Sequence, residues 1–150
     1  MSATDPLARL LAGGDSILED LKRFVEIESP SDDKARTDQF GEFLADFVRD
    51  ALGARVAVLR QPRFGNHLRV EVGPPNGEHP ILLLGHFDTV WPVGTLENMP
   101  FKVEGPFAYG PGSLDMKAGL VLGIHALDAQ GGDHDPRHRG REAGDGVGQR

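Results

Sequence analysis

Residues 80–90 read PILLLGHFDTV. An uninterrupted apolar run from Pro80 to Gly85 predicts a central strand covered on both faces, because strands buried on both sides carry apolar residues without alternation. In an open α/β sheet, ligands bind beyond the carboxyl ends of the strands. His86 and Asp88 follow this run directly, so the sequence predicts a functional site at these residues.

His86 and Asp88 are separated by one residue. In an extended segment, residues two apart point to the same side. Asp88 can then accept a hydrogen bond from the ring nitrogen of His86 that a metal leaves free, which fixes the tautomer of a metal-bound imidazole. A hydrogen-bonded structural histidine is the alternative, and the His-x-Asp pattern alone leaves both interpretations open.

A second candidate carboxylate follows in residues 108–120, which read AYGPGSLDMKAGL. The Gly-Pro-Gly turn permits close approach of the backbone, and hydrophobic periodicity predicts a helix over Lys117–Ala129. Asp115 precedes this helix, and a helix N-terminus favours an anion. Asp115 is therefore a candidate metal ligand, with a simple helix N-cap as the alternative.

The remaining pattern combines helices with strands. It predicts helices over Asp15–Glu28 and about Lys34–Leu52, strands around Val56–Val58 and Leu68–Val72, and a hairpin over 101–109. Gly53 is the expected C-terminal stop of the second helix. This order predicts an α/β fold with a mixed sheet covered by helices.

Composition excludes several classes of function. The 16 Lys and Arg against 23 Asp and Glu give a net charge of −7, which argues against nucleic acid as the main partner. The absence of cysteine excludes disulfides and thiolate zinc sites. No secretory signal is visible, and the longest aliphatic run, Ile81–Leu84, is too short to span a membrane. We expect a cytoplasmic protein that binds neither nucleic acid nor membrane.

Residues 130–150 differ from the rest of the chain. Six of these residues are Gly and four are Arg, and no hydrophobic period survives. Such a composition predicts a disordered tail after a structured part at 1–129. His134 and His138 lie in this segment, where no scaffold is expected to hold a metal.

The quoted motifs resemble a known family. GHFDTVWPVGTL (85–96) and MPFKVEGPFAYGPGSLDMKAGLVLGIHAL (99–127), together with LEDLKRFVEIESPS (18–31), closely resemble the di-zinc metallohydrolases. These include glutamate carboxypeptidase, acetylornithine deacetylase, succinyl-diaminopimelate desuccinylase and the aminoacylases. The resemblance covers about residues 15–129, and its two motifs are highly specific. Their sequences are most similar to those of the glutamate carboxypeptidase branch.

The resemblance implies roles for three residues. His86 is expected to ligate one zinc, Asp115 to bridge two, and Asp88 to act as a catalytic residue that orients His86. It further implies a cis bond between Asp115 and Met116. The expected cofactor is zinc, with cobalt or manganese as alternatives. The expected reaction is hydrolysis of an amide bond in a small peptide or N-acyl amino acid, in which two metals polarise the carbonyl and activate a shared water.

The resemblance also identifies what this sequence does not contain. Beyond the helix, the family supplies an adjacent Glu-Glu pair as general base and metal ligand, then further ligands, and a second domain that often forms homodimers. We therefore expect residues 1–129 to be the N-terminal part of a catalytic domain whose C-terminal half and second domain are missing. We hypothesise that the Gly- and Arg-rich tail is read out of frame, with a natural short protein that carries a disordered tail as the alternative.

Two other function classes follow from these observations. The resemblance implies a metal-dependent hydrolase, but without the Glu-Glu pair we expect this chain alone to be inactive. An inactive truncated fragment or pseudoenzyme is therefore the alternative function. A nucleotide-binding module is weaker, because the Gly-Pro-Gly segment lacks the glycine spacing and lysine of a phosphate loop.

Overall fold

The computed structural model describes residues 5–74 and 80–131. Along the chain its elements are α1 (Pro6–Ala12), α2 (Gly14–Val25), α3 (Lys34–Leu52), β1 (Arg55–Leu59), β2 (His67–Glu71), α4 (Thr95–Asn98), β3 (Lys102–Glu104), β4 (Phe107–Tyr109) and α5 (Ala118–Gln130). An irregular turn, Ser113–Lys117, leads into α5. The predicted α/β class is confirmed.

Helix α3 has the predicted limits because both of its ends carry strong capping signals. The side chain of Asp33 accepts a hydrogen bond from the backbone N–H of Arg36 at the first turn. At the other end Gly53 adopts a left-handed φ of 59°, which costs glycine little. The predicted C-terminal stop is confirmed.

The N-terminal helices differ from the prediction. Helix α2 ends at Val25, three residues before the predicted Glu28, because the residue before Pro30 disfavours helical backbone. Helix α1 was not expected. Asp5 caps it through the N–H of Leu7, and a proline occupies its first position, as is common at helix N-termini.

The hydrophobic core lies between α2, α3 and α5. Phe24 of α2 is fully buried and packs edge to face against phenylalanines of α3. The buried members of this cluster are Phe24, Phe40, Leu44, Val48, Ala54, Val121 and Ile124. His125 of α5 is also buried, with its Nε2 2.9 Å from Asp20 Oδ2.

The described strands form two small antiparallel sheets, β1–β2 and β3–β4. The first pairs Val56 with Val70 and Val58 with Leu68, in the predicted strands. The second is the predicted hairpin around Gly105.

The predicted central strand over Pro80–Gly85 is wrong for the described residues. The segment forms no strand there, and Ile81 and Leu84 are 89% and 87% exposed. An apolar run indicates that its side chains are stable when buried. It does not specify which neighbouring strand would form backbone hydrogen bonds with it.

Two predictions lie outside the described residues. These are the disorder of 132–150 and the interpretation of His134 and His138. Of the described tail, Gln130 is the last residue of α5 and Gly131 is its C-cap. No helix within 5–74 and 80–131 has the length and apolarity needed to cross a membrane.

Asp38 ties helix α3 to the β1–β2 hairpin. Its Oδ1 accepts the N–H of Asn66 at 2.7 Å, and its Oδ2 accepts Nζ of Lys34 at 2.7 Å. Burial alone raises the pKa of this carboxyl, but the hydrogen bonds from Lys34 and Asn66 outweigh burial and lower it.

A lowered pKa makes Asp38 a source of acid sensitivity. The folded pKa lies below the ordinary aspartate value of 3.8, so the stabilisation is present above that value and is lost as the pH falls through the folded pKa. We expect Asp38→Asn to lower the free energy of unfolding by about 1–2 kcal/mol at neutral pH and to flatten its acid dependence.

The control is Asp46→Asn on the same helix, which breaks an exposed pair with Arg49. Exposed pairs contribute little, so we expect a change below about 0.5 kcal/mol. Urea unfolding across an acid series measures both variants. Equal losses would show that Asp38 is an ordinary surface charge.

Candidate metal centre

The segment Ser29–Ser31 holds the residues that follow the apolar run. Oγ of Ser29 donates to the carbonyl of Phe87 at 2.7 Å, and the N–H of Thr89 donates to the carbonyl of Ser29 at 2.8 Å. The N–H of Ser31 donates to the carbonyl of Thr89 at 2.9 Å. These hydrogen bonds fix the backbone of residues 87–89, and so position the neighbouring side chains of His86 and Asp88.

The turn that carries Asp115 approaches from the other side. It starts at Gly112, whose φ of 71° is left-handed, and closes with the N–H of Lys117 donating to the carbonyl of Gly112 at 3.0 Å. Asp115 itself is not helical, with φ −115° and ψ 94°. The bond between Asp115 and Met116 is cis, as the resemblance implies.

His86 contacts both candidate carboxyl residues. Its Nε2 lies 3.0 Å from Oδ1 of Asp115, and its Nδ1 lies 3.0 Å from the backbone carbonyl oxygen of Asp88. The Asp88 carboxylate is farther, at 3.4 Å from Nδ1. The structure brings His86 and Asp115 together, and their function as metal ligands stays a prediction.

The structure refines the expected contact with Asp88. The main hydrogen-bond partner of Nδ1 is the carbonyl of Asp88 rather than its carboxylate. Either acceptor favours a proton on Nδ1, and a carbonyl is a common partner of a metal-bound histidine. At 3.0 Å from a carboxylate oxygen, Nε2 donates a proton to Asp115 when no metal is bound. A metal ion would replace that proton and take the lone pair of Nε2.

The electrostatic environment of His86 favours the protonated ring. Burial alone lowers the pKa of His86, but the hydrogen bond with Asp115 and the contacts with Asp88 outweigh burial and raise it. The negative charge of Asp88 and Asp115 stabilises a proton on the His86 ring. The same charge would stabilise a metal cation bound in place of that proton.

The donor types and their spacing fit one edge of a zinc site. Zinc binds histidine nitrogen and carboxylate oxygen at about 2.0–2.2 Å, so two such donors at a tetrahedral angle lie about 3.4 Å apart. The observed 3.0 Å between Nε2 and Oδ1 is close to that separation. Within the described ranges, no group of three or more His, Cys, Asp or Glu is placed to hold a metal ion. The described residues thus fit part of a zinc site.

An open cleft of about 540 Å³ surrounds this pair. Its volume is in the range of small-molecule sites. Asp115 and Leu114 project into it from the turn, with exposed fractions of 84% for the Asp115 side chain and 90% for Leu114. Val90 and Trp91 add apolar surface, so the cleft presents a polar pair beside an apolar wall.

Sequence reasoning missed three residues that build this site. Ser29 appeared only within the quoted 18–31 motif, and Lys117 only as the first residue of a predicted helix. Glu28 accepts the N–H groups of Gly94 and Leu96 at 2.9 and 3.2 Å and so fixes the loop after Trp91. Burial raises the pKa of Glu28, but these backbone donors outweigh burial and lower it. The presence of Glu28 and Ser29 in the quoted 18–31 motif was the available signal.

Comparisons with known proteins agree with this geometry. Residues 82–140, which include His86, Asp88 and Asp115, match the sequence profile of peptidase family M20/M25/M40. The chain belongs to this family.

Two relatives of this chain have names that describe an enzymatic activity. Carboxypeptidase G2 of Pseudomonas sp. (strain RS-16) is 32% identical over 114 residues, which are 75% of this chain and 27% of that protein. Succinyl-diaminopimelate desuccinylase of Corynebacterium glutamicum is 32% identical over 107 residues, which are 71% of this chain and 26% of that protein. The aligned part of this chain spans about a quarter of the length of each relative.

Gly112 is the glycine of this M20 site that least tolerates a side chain. A Cβ there would lie 2.5 Å from Cγ2 of Thr89, and the left-handed φ adds strain. We expect Gly112→Ala to lower the free energy of unfolding by about 2–3 kcal/mol, since left-handed alanine costs about 1–2 kcal/mol before the clash is counted.

Gly123→Ala in α5 is the matched control. A Cβ at Gly123 meets no atom within 4 Å, and helical glycine is less stable than alanine. We expect Gly123→Ala to stabilise the chain by about 0.5–1 kcal/mol. Thermal unfolding compares the two variants, and shifts of the same sign would be incompatible with a packed Gly112–Thr89 contact.

Proposed function

We propose that this chain carries part of the active site of a metal-dependent amide hydrolase. The observation that supports this proposal most strongly is the 3.0 Å distance between His86 Nε2 and Asp115 Oδ1 in the cleft. Nδ1 of the same ring is hydrogen-bonded to the backbone carbonyl of Asp88. In this proposal His86 and Asp115 are zinc ligands and Asp88 holds the histidine in the required tautomer.

The residues of the chain have defined tasks in this reaction. Bound zinc supplies Lewis-acid polarisation of the scissile carbonyl and a water of lowered pKa. Asp88 keeps the proton on Nδ1 so that Nε2 offers its lone pair. Val90 and Trp91 contact apolar parts of the substrate in the cleft.

We propose a small peptide or N-acyl amino acid as the substrate, with release of an amino acid. The names of the two relatives, a carboxypeptidase and a desuccinylase, describe hydrolysis of amide bonds next to a carboxylate-bearing group. The cleft volume of about 540 Å³ accommodates a molecule of this size.

An inactive metal-binding protein is the second candidate. It is favoured by the number of donors, because a catalytic zinc usually takes three protein ligands and the described residues bring together two. The two candidates share the metal ligands and differ in turnover.

Hydrolysis of N-acyl-glutamates and dipeptides with added zinc, cobalt or manganese tests the proposal. A working hydrolase requires metal-dependent release of amino acid that a chelator and His86→Ala abolish. His67→Ala is the control, since His67 lies on β2 and does not line the cleft. Metal binding that depends on His86 without turnover selects the inactive candidate. Metal binding unaffected by His86→Ala overturns both.

A further inference from the structure

Lys117 is a buried lysine two residues after Asp115, and it is 1% exposed. Its Nζ donates hydrogen bonds to the carbonyls of Phe24 at 2.9 Å and Ile27 at 2.7 Å. The same Nζ lies 4.3 Å from the centre of the Phe40 ring. A buried ammonium needs such partners to replace water, so Lys117 is placed by a specific set of acceptors.

These acceptors mark the C-terminal end of α2. Phe24 lies in the last turn of the helix and Ile27 lies just beyond it. The last carbonyls of a helix have no partner within the helix, and its dipole favours a positive charge there. Lys117 therefore caps α2 and at the same time joins the Asp115 turn to that helix.

Besides Lys117, the turn is attached through Met116, whose Sδ accepts the backbone N–H of His86 at 3.3 Å. Within Ser113–Lys117 the buried residue is Lys117, whereas Leu114 and the Asp115 side chain are 90% and 84% exposed. At the start of the turn Gly112 packs closely against Thr89. The position of Asp115 is thus defined by the contact at Gly112, the contact between Met116 and His86, and the buried ammonium of Lys117.

The opposite side of the site is fixed to the same stretch of chain. Ser29, two residues after Ile27, holds the backbone of Phe87 and Thr89 beside His86. Hydrogen bonds to the end of α2 and to the residues that follow it therefore fix the positions of both His86 and Asp115.

We propose that Lys117 is the positioning residue of the site, which sets Asp115 opposite His86 by binding the end of α2. Its Nζ is occupied by two carbonyls and a ring, so it acts through Asp115 and does not touch substrate. The inference rests on the proposed function of His86 and Asp115 as metal ligands.

Zinc titration by calorimetry of the wild-type chain, Lys117→Met and Lys117→Arg is the first test. Methionine keeps the packing of the stem and removes the charge. We expect the methionine variant to bind zinc about 10- to 100-fold more weakly, the range typical of residues that orient metal ligands. Arginine, which can donate to both carbonyls, restores part of the affinity. Lys102→Met, at an exposed lysine of β3, leaves affinity unchanged.

A metal-free measurement separates this inference from the proposed function. The ¹⁵N chemical shift of His86 Nε2 reports the contact with Asp115, and Asp115→Asn supplies the value for a weakened contact. We expect Lys117→Met to move the shift toward that value, while the rest of the spectrum stays that of a folded chain. If wild type binds no zinc, the metal-site proposal fails and this shift still decides the role of Lys117.

A second variant covers loss of folding. Lys117→Gln keeps an N–H donor for the carbonyls but lacks the charge and the full reach of the lysine. We expect it to fold and to show the same direction of change in both measurements. An unchanged His86 shift and unchanged zinc affinity in a folded methionine or glutamine variant overturn the inference, and leave Lys117 as a helix cap alone.

Discussion

Replacing Phe24 with alanine is expected to lower the free energy of unfolding by about 3–5 kcal/mol, the usual cost of removing a buried phenylalanine. Phe24 is fully buried, and its ring lies 5.1–5.5 Å from the centres of the Phe40, Phe43 and Phe47 rings. Domains of this size are stable by only about 5–15 kcal/mol. The variant should therefore melt at a much lower temperature, as measured by circular dichroism.

Phe64→Ala is the matched control for this substitution. Phe64 is 56% exposed, so its removal leaves no internal cavity. We expect a change below about 1 kcal/mol, since surface substitutions are usually near neutral. Similar losses for Phe24→Ala and Phe64→Ala would show that α2 and α3 are not packed through Phe24.

Aggregation of the chain is expected to depend on the segment Ile81–Leu84. All four side chains are exposed, with Leu82 and Leu84 at 83% and 87%. An extended apolar segment without a partner strand is a template for pairing between molecules. We expect the double variant Leu82→Glu, Leu84→Glu to reduce concentration-dependent light scattering severalfold, because charges interrupt such pairing.

Net charge alone also affects association, so the control adds the same charges elsewhere. Leu7→Glu with Leu11→Glu changes two exposed leucines of α1, which are 57% and 70% exposed. We expect scattering close to that of wild type. If both double variants suppress scattering equally, repulsion between molecules is the cause and the Ile81–Leu84 segment has no special part.

Elements with signals at both ends were predictable from the sequence. Helix α3 combines a regular apolar stripe with Asp33 at its start and Gly53 at its end, and the structure has it at Lys34–Leu52. The hairpin at 102–109 follows from Gly105, whose positive φ suits a tight turn. In these cases local residues specify the local backbone.

The Pro80–Gly85 segment was not predictable in the same way. Its apolar run carries information about burial, whereas a strand also needs a partner at a definite register. The backbone just after this segment pairs instead with Ser29 and Ser31, far away in sequence. A pairing of this kind depends on tertiary contacts that hydrophobic periodicity does not encode.

The approach of His86 to Asp115 was predictable from two observations, a histidine after an apolar run and an aspartate before a helix. The resemblance to the family connected them. The partner of His86 Nδ1 was less predictable, because the backbone carbonyl of Asp88 competes with its carboxylate. The sequence shows that residue 88 is an aspartate, but it does not show whether the backbone or the side-chain oxygen lies closer to the His86 ring.

The contacts of Lys117 and Ser29 are the part of the site least visible in the sequence. Both side chains bind backbone carbonyls, those of Phe24 and Ile27 for Lys117 and that of Phe87 for Ser29. A carbonyl acceptor can belong to any residue, so it leaves no side-chain signature. Only the folded arrangement brings donor and acceptor together.

Anomalous diffraction at the zinc edge, from crystals of the chain soaked in zinc, tests the central claim most directly. We predict a zinc ion within about 2.0–2.2 Å of both Nε2 of His86 and a carboxylate oxygen of Asp115, with Nδ1 of His86 still bonded to Asp88. Zinc bound elsewhere on the chain, with His86 and Asp115 still in direct contact at 3.0 Å, would contradict the assignment of this pair as metal ligands.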